Sequence, residues 1–364
     1  MKLKIKINAK TFLTVCLVFC LAFVSCTATR SSFKQVKHES DILKIIYYGT
    51  LAGNSHNTQP WKVKIIDDKT IEIYADFSRK LEVVDETSRG LYISLGAFIE
   101  NCVLSAGALG YHADVKYSSE FSGDHMAASI TVKKADHTDF DLADISARAT
   151  LRTPFKTEPV SKSDLSFLIG SDQESVLFIK ADSENGKYIS QQNLLAYTQQ
   201  SRDTRAKEEL AGWIRFANSD VKKHRDGLTT AGMGIKGFSA LFVRNFFSPE
   251  DSKSDSFVEA GIKKAEVQLS NQAGWIVIKQ PGSTPTDWME AGRVYQRVHL
   301  KCRSCMIGFH PFNAVLEENN YEREFNKKIR INGTVHLLAR IGYVDSYPKP
   351  VSVRRTVEDI LVSD

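Results

Sequence analysis

The stretch at residues 54–61 reads Asn54-Ser55-His56-Asn57-Thr58-Gln59-Pro60-Trp61, and it decides the fold. It leads into residues 61–65, whose alternation of apolar and charged side chains is typical of a half-buried strand. Pro60 restricts the backbone of the turn, and Asn57 and Gln59 each offer hydrogen-bond donors and acceptors. Such a turn suits the edge of a ring that presents N–H, C=O and N groups in alternation. A polar turn without a ligand is the alternative, and it would be the default for any three of these residues.

Segments of regular hydrophobic spacing extend in both directions from this turn. Helices are predicted at residues 39–53 and 89–109, and strands at 61–65, 71–74, 113–118 and 127–134. The pattern then restarts, with helices predicted at 139–151, 185–199, 203–216 and 287–306, a further helix opened by the capping box of Ser161 and Asp164, and strands at 176–180, 274–279 and 335–339. Two units of helices and antiparallel strands predict an α+β fold.

A second string of polar residues opens the second unit. It reads Arg148-Ala149-Thr150-Leu151-Arg152. On a helix, the two guanidinium groups would share one face, and guanidinium groups match phosphate oxygens in geometry and in charge. Thr150 adds a hydroxyl between them. The string therefore predicts an anion site, with a solvated basic helix face as the alternative.

These two strings carry a resemblance to a known family. A first helix, the Ser-x-Asn-x-Gln-Pro-Trp string of residues 55–61 and a following strand resemble the nitroreductase family of FMN enzymes, in which this segment reaches a flavin held by the other subunit. The string at residues 148–152 is similar to the Arg-x-Ser-x-Arg string that holds the flavin in that family. Each string occurs once, in a different unit. The chain therefore resembles the fused, two-lobed branch related to the mycobacterial dormancy protein Acg, over residues 38–360.

The resemblance implies a nitroreductase-like fold built as a fused pseudo-dimer, with sheets flanked by helices and one FMN between the lobes. The implied cofactor-binding residues are Ser55, His56, Asn57, Gln59, Arg148, Thr150, Arg152, Arg354 and Arg355. A basic surface tail is the alternative for the last two. His56 is either a proton donor at the flavin or a filler of the turn. No residue is predicted to be catalytic in its own right, because the flavin carries the chemistry.

The first 26 residues have the pattern of an export signal. Four lysines among the first ten residues precede an almost wholly apolar run at 12–24, and Ser25-Cys26 follows. The run is shorter than the ~20 apolar residues of a transmembrane helix. The pattern resembles a bacterial lipoprotein signal with Cys26 as the lipidated residue, and an uncleaved anchor is the alternative. We expect an exported, membrane-attached protein in which residues 27–38 form a tether.

Charge and cysteine content exclude several classes of protein. The net charge is +5, and without the four signal lysines it is +1, which lacks the basic footprint of a nucleic-acid binder. Cys102, Cys302 and Cys305 are too few for a disulfide scaffold. Cys302 and Cys305 form a CxxC without a second pair, so we interpret them as structural thiols, with a redox dithiol as the alternative. No metal site is predicted.

The domain prediction places a truncated first lobe at residues 39–137 and a second lobe at 138–364. Residues 220–258 are rich in Gly and Phe, and they form either a lid or a surface insertion packed on the core. The implied function is electron transfer from NAD(P)H or another donor, through FMN, to a nitro, quinone or similar aromatic acceptor in a monomeric pseudo-dimer. Two alternatives stay open: an FMN-binding or sequestering lipoprotein without turnover, and a structural lipoprotein that has lost the flavin.

Overall fold

The computed structural model describes residues 27–33, 38–121 and 126–362. Residues 1–26, with the predicted lipidation site Cys26, lie outside the described residues. The helices are α1 (Asp41–Thr50), α2 (Arg89–Ala108), α3 (Leu142–Ala147), α4 (Lys162–Ile169), α5 (Glu184–Arg202), α6 (Thr204–Trp213), α7 (Asn218–His224), α8 (Gly237–Phe246), α9 (Asp255–Ser270), α10 (Pro285–Lys301), α11 (Ala314–Glu317) and α12 (Asn319–Ile329). The strands are β1 (Trp61–Ile65), β2 (Thr70–Ala75), β3 (Tyr111–Tyr117), β4 (Met126–Lys134), β5 (Val176–Lys180), β6 (Ile214–Arg215), β7 (Leu228–Thr229), β8 (Gly274–Gln280), β9 (Ile307–Pro311) and β10 (Thr334–Tyr343).

The first lobe is a four-stranded antiparallel sheet in the order β1-β2-β4-β3. Alternate residues of β1 and β2 face the core because successive side chains of a strand point to opposite faces. Val63 and Ile73 are paired across the two strands, and both are fully buried. The long helix α2 connects β2 to β3 and supplies Leu95 and Phe98 to the same core.

The second lobe repeats this topology. Its sheet is antiparallel in the order β5-β8-β10-β9, and a long helix, α10, connects its second and third strands in sequence. Helix α10 begins where Thr284 and Asp287 form a capping box and Pro285 occupies the first turn. Two sheets of one strand order, each with its long helix at the same place in the sequence, confirm the predicted α+β class and the two-lobed arrangement.

The two long helices cross at very short range. A methyl group added at Gly96 of α2 would overlap the backbone carbonyl of Met289, and one at Gly292 of α10 would overlap that of Ile93. The contact is thus reciprocal, as expected for two related halves. Glycine is required at both positions because the backbones themselves touch.

Charged groups beside this crossing are matched. The buried carboxylate of Glu100 on α2 accepts from Arg293 Nε at 2.7 Å and lies 3.0 Å from Arg297 Nη1, both on α10. Arg297 also pairs with Asp172 at 2.7 Å. The interface between the lobes is therefore held by close backbone packing and by balanced ion pairs.

Both ends of the described chain pack onto the other parts of the molecule. Residues 360–362 run parallel to β1, with Val63 N–H donating to Ile360 O and Val362 N–H to Val63 O, each at 2.9 Å. The end of the second lobe thereby extends the sheet of the first. The stretch 27–33, interpreted as part of a tether, is also packed: Ala28 is buried against Val221 and Val353.

Several local predictions were wrong. The helices predicted at 203–216 and 287–306 end at Trp213 and Lys301. The helix predicted at 139–151 ends at Ala147, so it does not include the string at 148–152. At the start of α4, the Ser161 side chain accepts from Asp164 N–H, but Ser161 N–H donates to Tyr343 Oη instead of Asp164, so the capping box is incomplete. The insertion at 220–258 contains α8 and the start of α9, which the sequence analysis did not assign.

Candidate site between the lobes

The turn at residues 54–61 has an uncommon backbone. A short 3-10 helix covers Ser55–Asn57, and the φ angles of His56, Asn57 and Gln59 are 45°, 56° and 54°. Left-handed backbone at residues other than glycine costs about 1 kcal/mol or more per residue. Three such residues in one turn persist only because their surroundings hold them.

The side chains of Asn57 and Gln59 hold the turn against distant backbone. Asn57 Nδ2 donates to Gly227 O and to Val353 O, each at 3.2 Å. Gln59 Nε2 donates to Arg225 O at 2.9 Å, and Gln59 Oε1 accepts from Arg355 N–H at 2.8 Å. Both amides are buried. In this structure they join the turn to residues 225–227 and to residues 353–355.

The string at 148–152 is not helical, which corrects the prediction of a shared helix face. Arg148 caps the end of α3 in an extended conformation, and Leu151 N–H donates to Phe309 O at 3.1 Å. The chain follows β9 here because that strand offers a backbone acceptor. Leu151 and Ala149 pack in a small apolar cluster with Phe155, whereas Thr150 is half-buried.

Arg148 and Arg152 nevertheless lie near each other. Arg148 Nη2 donates to Leu51 O at 3.1 Å, and Arg152 Nη1 donates to Gly232 O at 3.0 Å. Burial lowers the pKa of Arg152, and the charge of Arg148 lowers it further. The charge of Arg152 also reaches His56, so the structure brings the two strings together.

Arg354 is buried at the same place, and its donors are occupied. Its Nε donates to Thr50 O at 2.7 Å, Nη1 to Asn57 Oδ1 at 2.7 Å and Nη2 to Ala52 O at 2.9 Å. Arg355 points elsewhere, toward Gln59 O and Asp359 O. Arg354 therefore joins the turn to the end of α1, whereas Arg355 lies apart from the other arginines of the site.

Arg30 is the arginine of the site that sequence analysis missed. Its Nε donates to Ser352 O at 3.1 Å and its Nη1 to Ser146 O at 3.2 Å. Burial, and next the charge of Arg148, lower its pKa to about 10. The charge of Arg30 in turn lowers the pKa of Arg354, after burial. The only sign of Arg30 in the sequence is a basic residue close to the signal segment. The residues that it bonds lie more than 100 positions away in the chain.

We call Arg30, Arg148, Arg152 and Arg354 the arginine cluster. Among the described residues, no Asp or Glu carboxylate lies within 4 Å of any of the four guanidinium groups. Two of their nitrogens, Arg30 Nη2 and Arg148 Nε, are buried and have no partner among the described residues. Burying like charges without counter-charges is costly. The cluster therefore has the charge and the free donors to hold an anion.

Neutral aromatic groups line the cluster. His299 Nε2 lies 3.1 Å from Ala149 O, which only accepts, so this nitrogen carries the proton and Nδ1 accepts from Tyr295 Oη and Arg148 Nη1. Burial and the charge of Arg148 keep the pKa of His299 well below 6.5. Burial, and then the charge of Arg152, lower the pKa of His56 to about 4. His56 Nδ1 is buried without a partner among the described residues.

Other candidate sites are weaker. The thiols of Cys302 and Cys305 are free, and burial raises the pKa of Cys305 to about 11, which leaves it unreactive at neutral pH. In the described part of the chain, no group of His, Cys, Asp or Glu is placed to hold a metal ion. Helix α2 is long and apolar enough to cross a membrane, but most of it is buried in the core. Two surface clefts, beside β5 and beside α12, contain none of the predicted site residues.

Comparisons of the sequence with known proteins give one kind of match. Two Mycobacterium tuberculosis proteins, named "Putative NAD(P)H nitroreductase MT3217" and "Putative NAD(P)H nitroreductase Rv3131", are each 28% identical to this chain over 120 residues. The resemblance to nitroreductases is confirmed. The match covers 32% of this chain and 35% of each relative, so it spans about a third of the nitroreductases' length. No family model matches the chain.

Comparison with solved structures also returns nitroreductases. The FMN-dependent nitroreductase NfnB from Mycobacterium smegmatis in complex with NADPH matches with 12% identity and a TM-score of 0.35, over 57% of this chain and 95% of that chain. A nitroreductase with bound FMN from Desulfitobacterium hafniense matches with 15% identity and a TM-score of 0.35, over 61% and 97%. TM-scores of this size do not establish a shared fold.

Proposed function

We propose that this protein is an FMN-dependent oxidoreductase of the nitroreductase type. It transfers electrons from NAD(P)H or another donor to a nitro, quinone or similar small aromatic acceptor. The observation that carries this proposal is the arginine cluster, which gathers four guanidinium groups between the lobes with no carboxylate of the described residues beside them. The similarity to proteins named NAD(P)H nitroreductases supports the same conclusion.

The residues of the cluster fit the phosphate of FMN. Arg30 and Arg148 each have a buried nitrogen that no described residue bonds, and both can donate to phosphate oxygens. Arg152 adds positive charge, and Thr150 of the same string offers a hydroxyl. Arg354, whose donors are taken, positions the turn and raises the local potential. When bound, the flavin would supply hydride and electron transfer.

The chain's remaining contribution is positioning and proton control. His56 is neutral at physiological pH because its pKa is about 4. Its unpartnered Nδ1 can therefore take part in a hydrogen bond to the ring without adding a charge. Ser55, on the same turn, is half-buried and its N–H is held by Ser94 Oγ at 3.3 Å. The left-handed backbone of the turn keeps His56 near Arg152.

One set of contacts favours a second candidate function, FMN binding or sequestration without turnover. Residues 225–234 cover one side of the site: Gly227 N–H donates to Asn57 O, and Gly232 O and Met233 O accept from Arg152 and Lys264. With Asn57 and Gln59 fully bonded, this segment would have to move before a pyridine nucleotide could reach a bound flavin. A protein that stores flavin would be built in this way.

The location of the protein belongs to the same proposal. The signal pattern of residues 1–26 supports an exported, membrane-anchored protein with Cys26 as the lipidated residue. The two related lobes within one chain support a monomeric pseudo-dimer that binds one FMN.

The test is the visible absorption of the purified full-length protein in mild detergent, before and after anaerobic addition of NADPH. We expect flavin bands at about one equivalent per chain, bleached by NADPH. Bands that persist with NADPH but bleach with dithionite would favour sequestration. A colourless protein that takes up no added FMN would overturn both candidates.

A further inference from the structure

Helix α8 presents large aromatic side chains to solvent. Phe238, Phe242 and Phe246 are 80%, 46% and 65% exposed. They are spaced by four residues, so they share one face of the helix. The rings of Phe242 and Phe246 lie 5.0 Å apart and make one continuous apolar surface. On a soluble domain, an apolar patch of this kind marks a place of contact with another apolar body.

The opposite side of the helix is fixed to the protein. Ala240 is buried, and Phe247, just after the helix, contacts Phe216. The exposed phenylalanines thus face outward because the helix is already packed on its other side.

Helix α8 and the segment before it carry positive charge, and the exposed acids Glu250 and Asp251 follow a few residues after it. Residues 227–249 contain no Asp or Glu, and they include Lys236 and Arg244. The last turn of the neighbouring helix α7 adds Lys222 and Lys223, both exposed. An exposed aromatic face bordered by lysine and arginine is the composition of helices that lie in the headgroup region of a bilayer containing anionic lipids.

The start of the described chain contacts α8 on the side opposite the phenylalanines, and it also contacts α7. The Arg244 side chain of α8 donates to the Thr27 hydroxyl, and Ala28 N–H donates to Asn218 Oδ1 on α7 at 2.9 Å. Thr27 directly follows the segment that contains the apolar run at residues 12–24. Any membrane attachment through that segment therefore delivers a bilayer to the side of the molecule where α8 lies.

We propose that α8 is a membrane-contacting helix, which inserts Phe238, Phe242 and Phe246 into the boundary between headgroups and acyl chains of an anionic phospholipid bilayer. Helix and anchor would then hold the protein at two points and fix its orientation on the membrane. The inference does not depend on flavin binding. It deepens the proposed membrane attachment by assigning a second, protein-based contact.

The test reconstitutes the full-length protein in vesicles of phosphatidylethanolamine and phosphatidylglycerol that carry a photoactivatable acyl chain. Vesicle flotation reports attachment, and mapping of lipid adducts reports which residues meet the acyl region. We expect adducts within residues 237–247. The triple variant Phe238→Ser, Phe242→Ser, Phe246→Ser should still float, with adducts in this segment reduced at least about tenfold.

The matched control is Phe167→Ser. Phe167 is 50% exposed on α4, away from α8, and its replacement should leave the adducts unchanged. A protein that floats without adducts in 237–247 would overturn this inference and leave the anchor intact. The inference would also be overturned if a second copy of the chain shields α8 from lipid. The same holds if α8 closes over the site when FMN is added.

Discussion

Two regions lie between the lobes, and they treat charge in opposite ways. At the crossing of α2 and α10, Glu100 is placed against Arg293 and Arg297, so the buried charges are balanced. In the arginine cluster, four guanidinium groups meet without a carboxylate, and two of their nitrogens have no partner among the described residues. The crossing is complete as it stands. The cluster is not, and this difference supports the proposal that the cluster binds an anion.

The largest effect should come from closing the space at the crossing. Gly292→Ala places a methyl group onto the Ile93 carbonyl, so the lobes must separate, and we expect the free energy of unfolding to fall by at least about 3 kcal/mol. Chemical denaturation measures this. Gly212→Ala in α6 is the control, because nothing lies within 4 Å of the added methyl, and it should not destabilise. Equal effects of the two substitutions would contradict the close crossing.

A cluster variant should affect affinity more than stability. Arg148→Met removes a charged donor to phosphate, and we expect FMN binding to weaken by about 30- to 100-fold, measured by flavin fluorescence. Without FMN, the free energy of unfolding should change by less than about 1 kcal/mol, because like-charge repulsion is relieved. Arg205→Met, at an exposed arginine of α6, is the control. Unchanged affinity in Arg148→Met would remove the phosphate site from the cluster.

A charge variant at the crossing of α2 and α10 should affect stability more than FMN affinity. Glu100→Gln leaves Arg293 and Arg297 without their shared carboxylate, and we expect a loss of about 2 kcal/mol in the free energy of unfolding. FMN affinity should stay within about twofold of that of the unmodified chain. Glu324→Gln breaks an exposed pair with Lys327 and should cost less than about 0.5 kcal/mol. If Glu100→Gln and Glu324→Gln cost the same, the ion pairs at the crossing are not structural.

The smallest effect concerns pH. The pKa of His56 is about 4 in the folded chain and near 6.5 when unfolded, so between these values the unfolded chain binds more protons. His56 therefore makes the folded state less stable as pH falls from 7 to 5. His56→Asn removes the titrating group and keeps a residue that tolerates left-handed backbone. Between pH 7 and pH 5.5, we expect the variant to lose about 1 kcal/mol less stability than the unmodified chain.

The pH dependence of stability must be compared between His56→Asn and the unmodified chain. Burial raises the pKa of Asp85 to about 6 and that of Glu317 to about 7, so these carboxyls stabilise the folded chain on acidification, opposite in sign to His56. Both are present in the variant, and their contribution cancels. Identical pH dependence of the two chains would show that His56 is not buried in neutral form.

Sequence analysis succeeded where structure is local. The strand at 61–65 was predicted with its observed bounds, and the long helix predicted at 89–109 was wrong by one residue. Both follow from the spacing of apolar residues, which the chain itself prescribes. The two-lobed arrangement was also predictable, because the two strings occur in different units.

Sequence analysis failed where a residue far away in the chain determines the local structure. Residues 148–152 have a composition compatible with a helix, yet the N–H of Leu151 bonds to Phe309, more than 150 residues away. Asn57 and Gln59 were expected at the edge of a ring, but carbonyls of residues 225–227 and 353 compete for the same amides. Arg30 belongs to a polar segment without a motif. The spacing of residues in the sequence could not predict that Arg30 donates to Ser352 O.

The strand-like segment at 360–362 sets the order in which the molecule can be completed. Residue 362 must be translated before the outer edge of β1 has a hydrogen-bonding neighbour. Residue 354 must be translated before the carbonyls of Thr50 and Ala52 have their arginine donor. A nascent or truncated chain that stops short of these residues leaves an open sheet edge, which invites pairing with other chains. These residues thus complete the first lobe only after the second lobe has been made. Only a molecule translated through both lobes has a paired edge on its first sheet and all four arginines of the cluster.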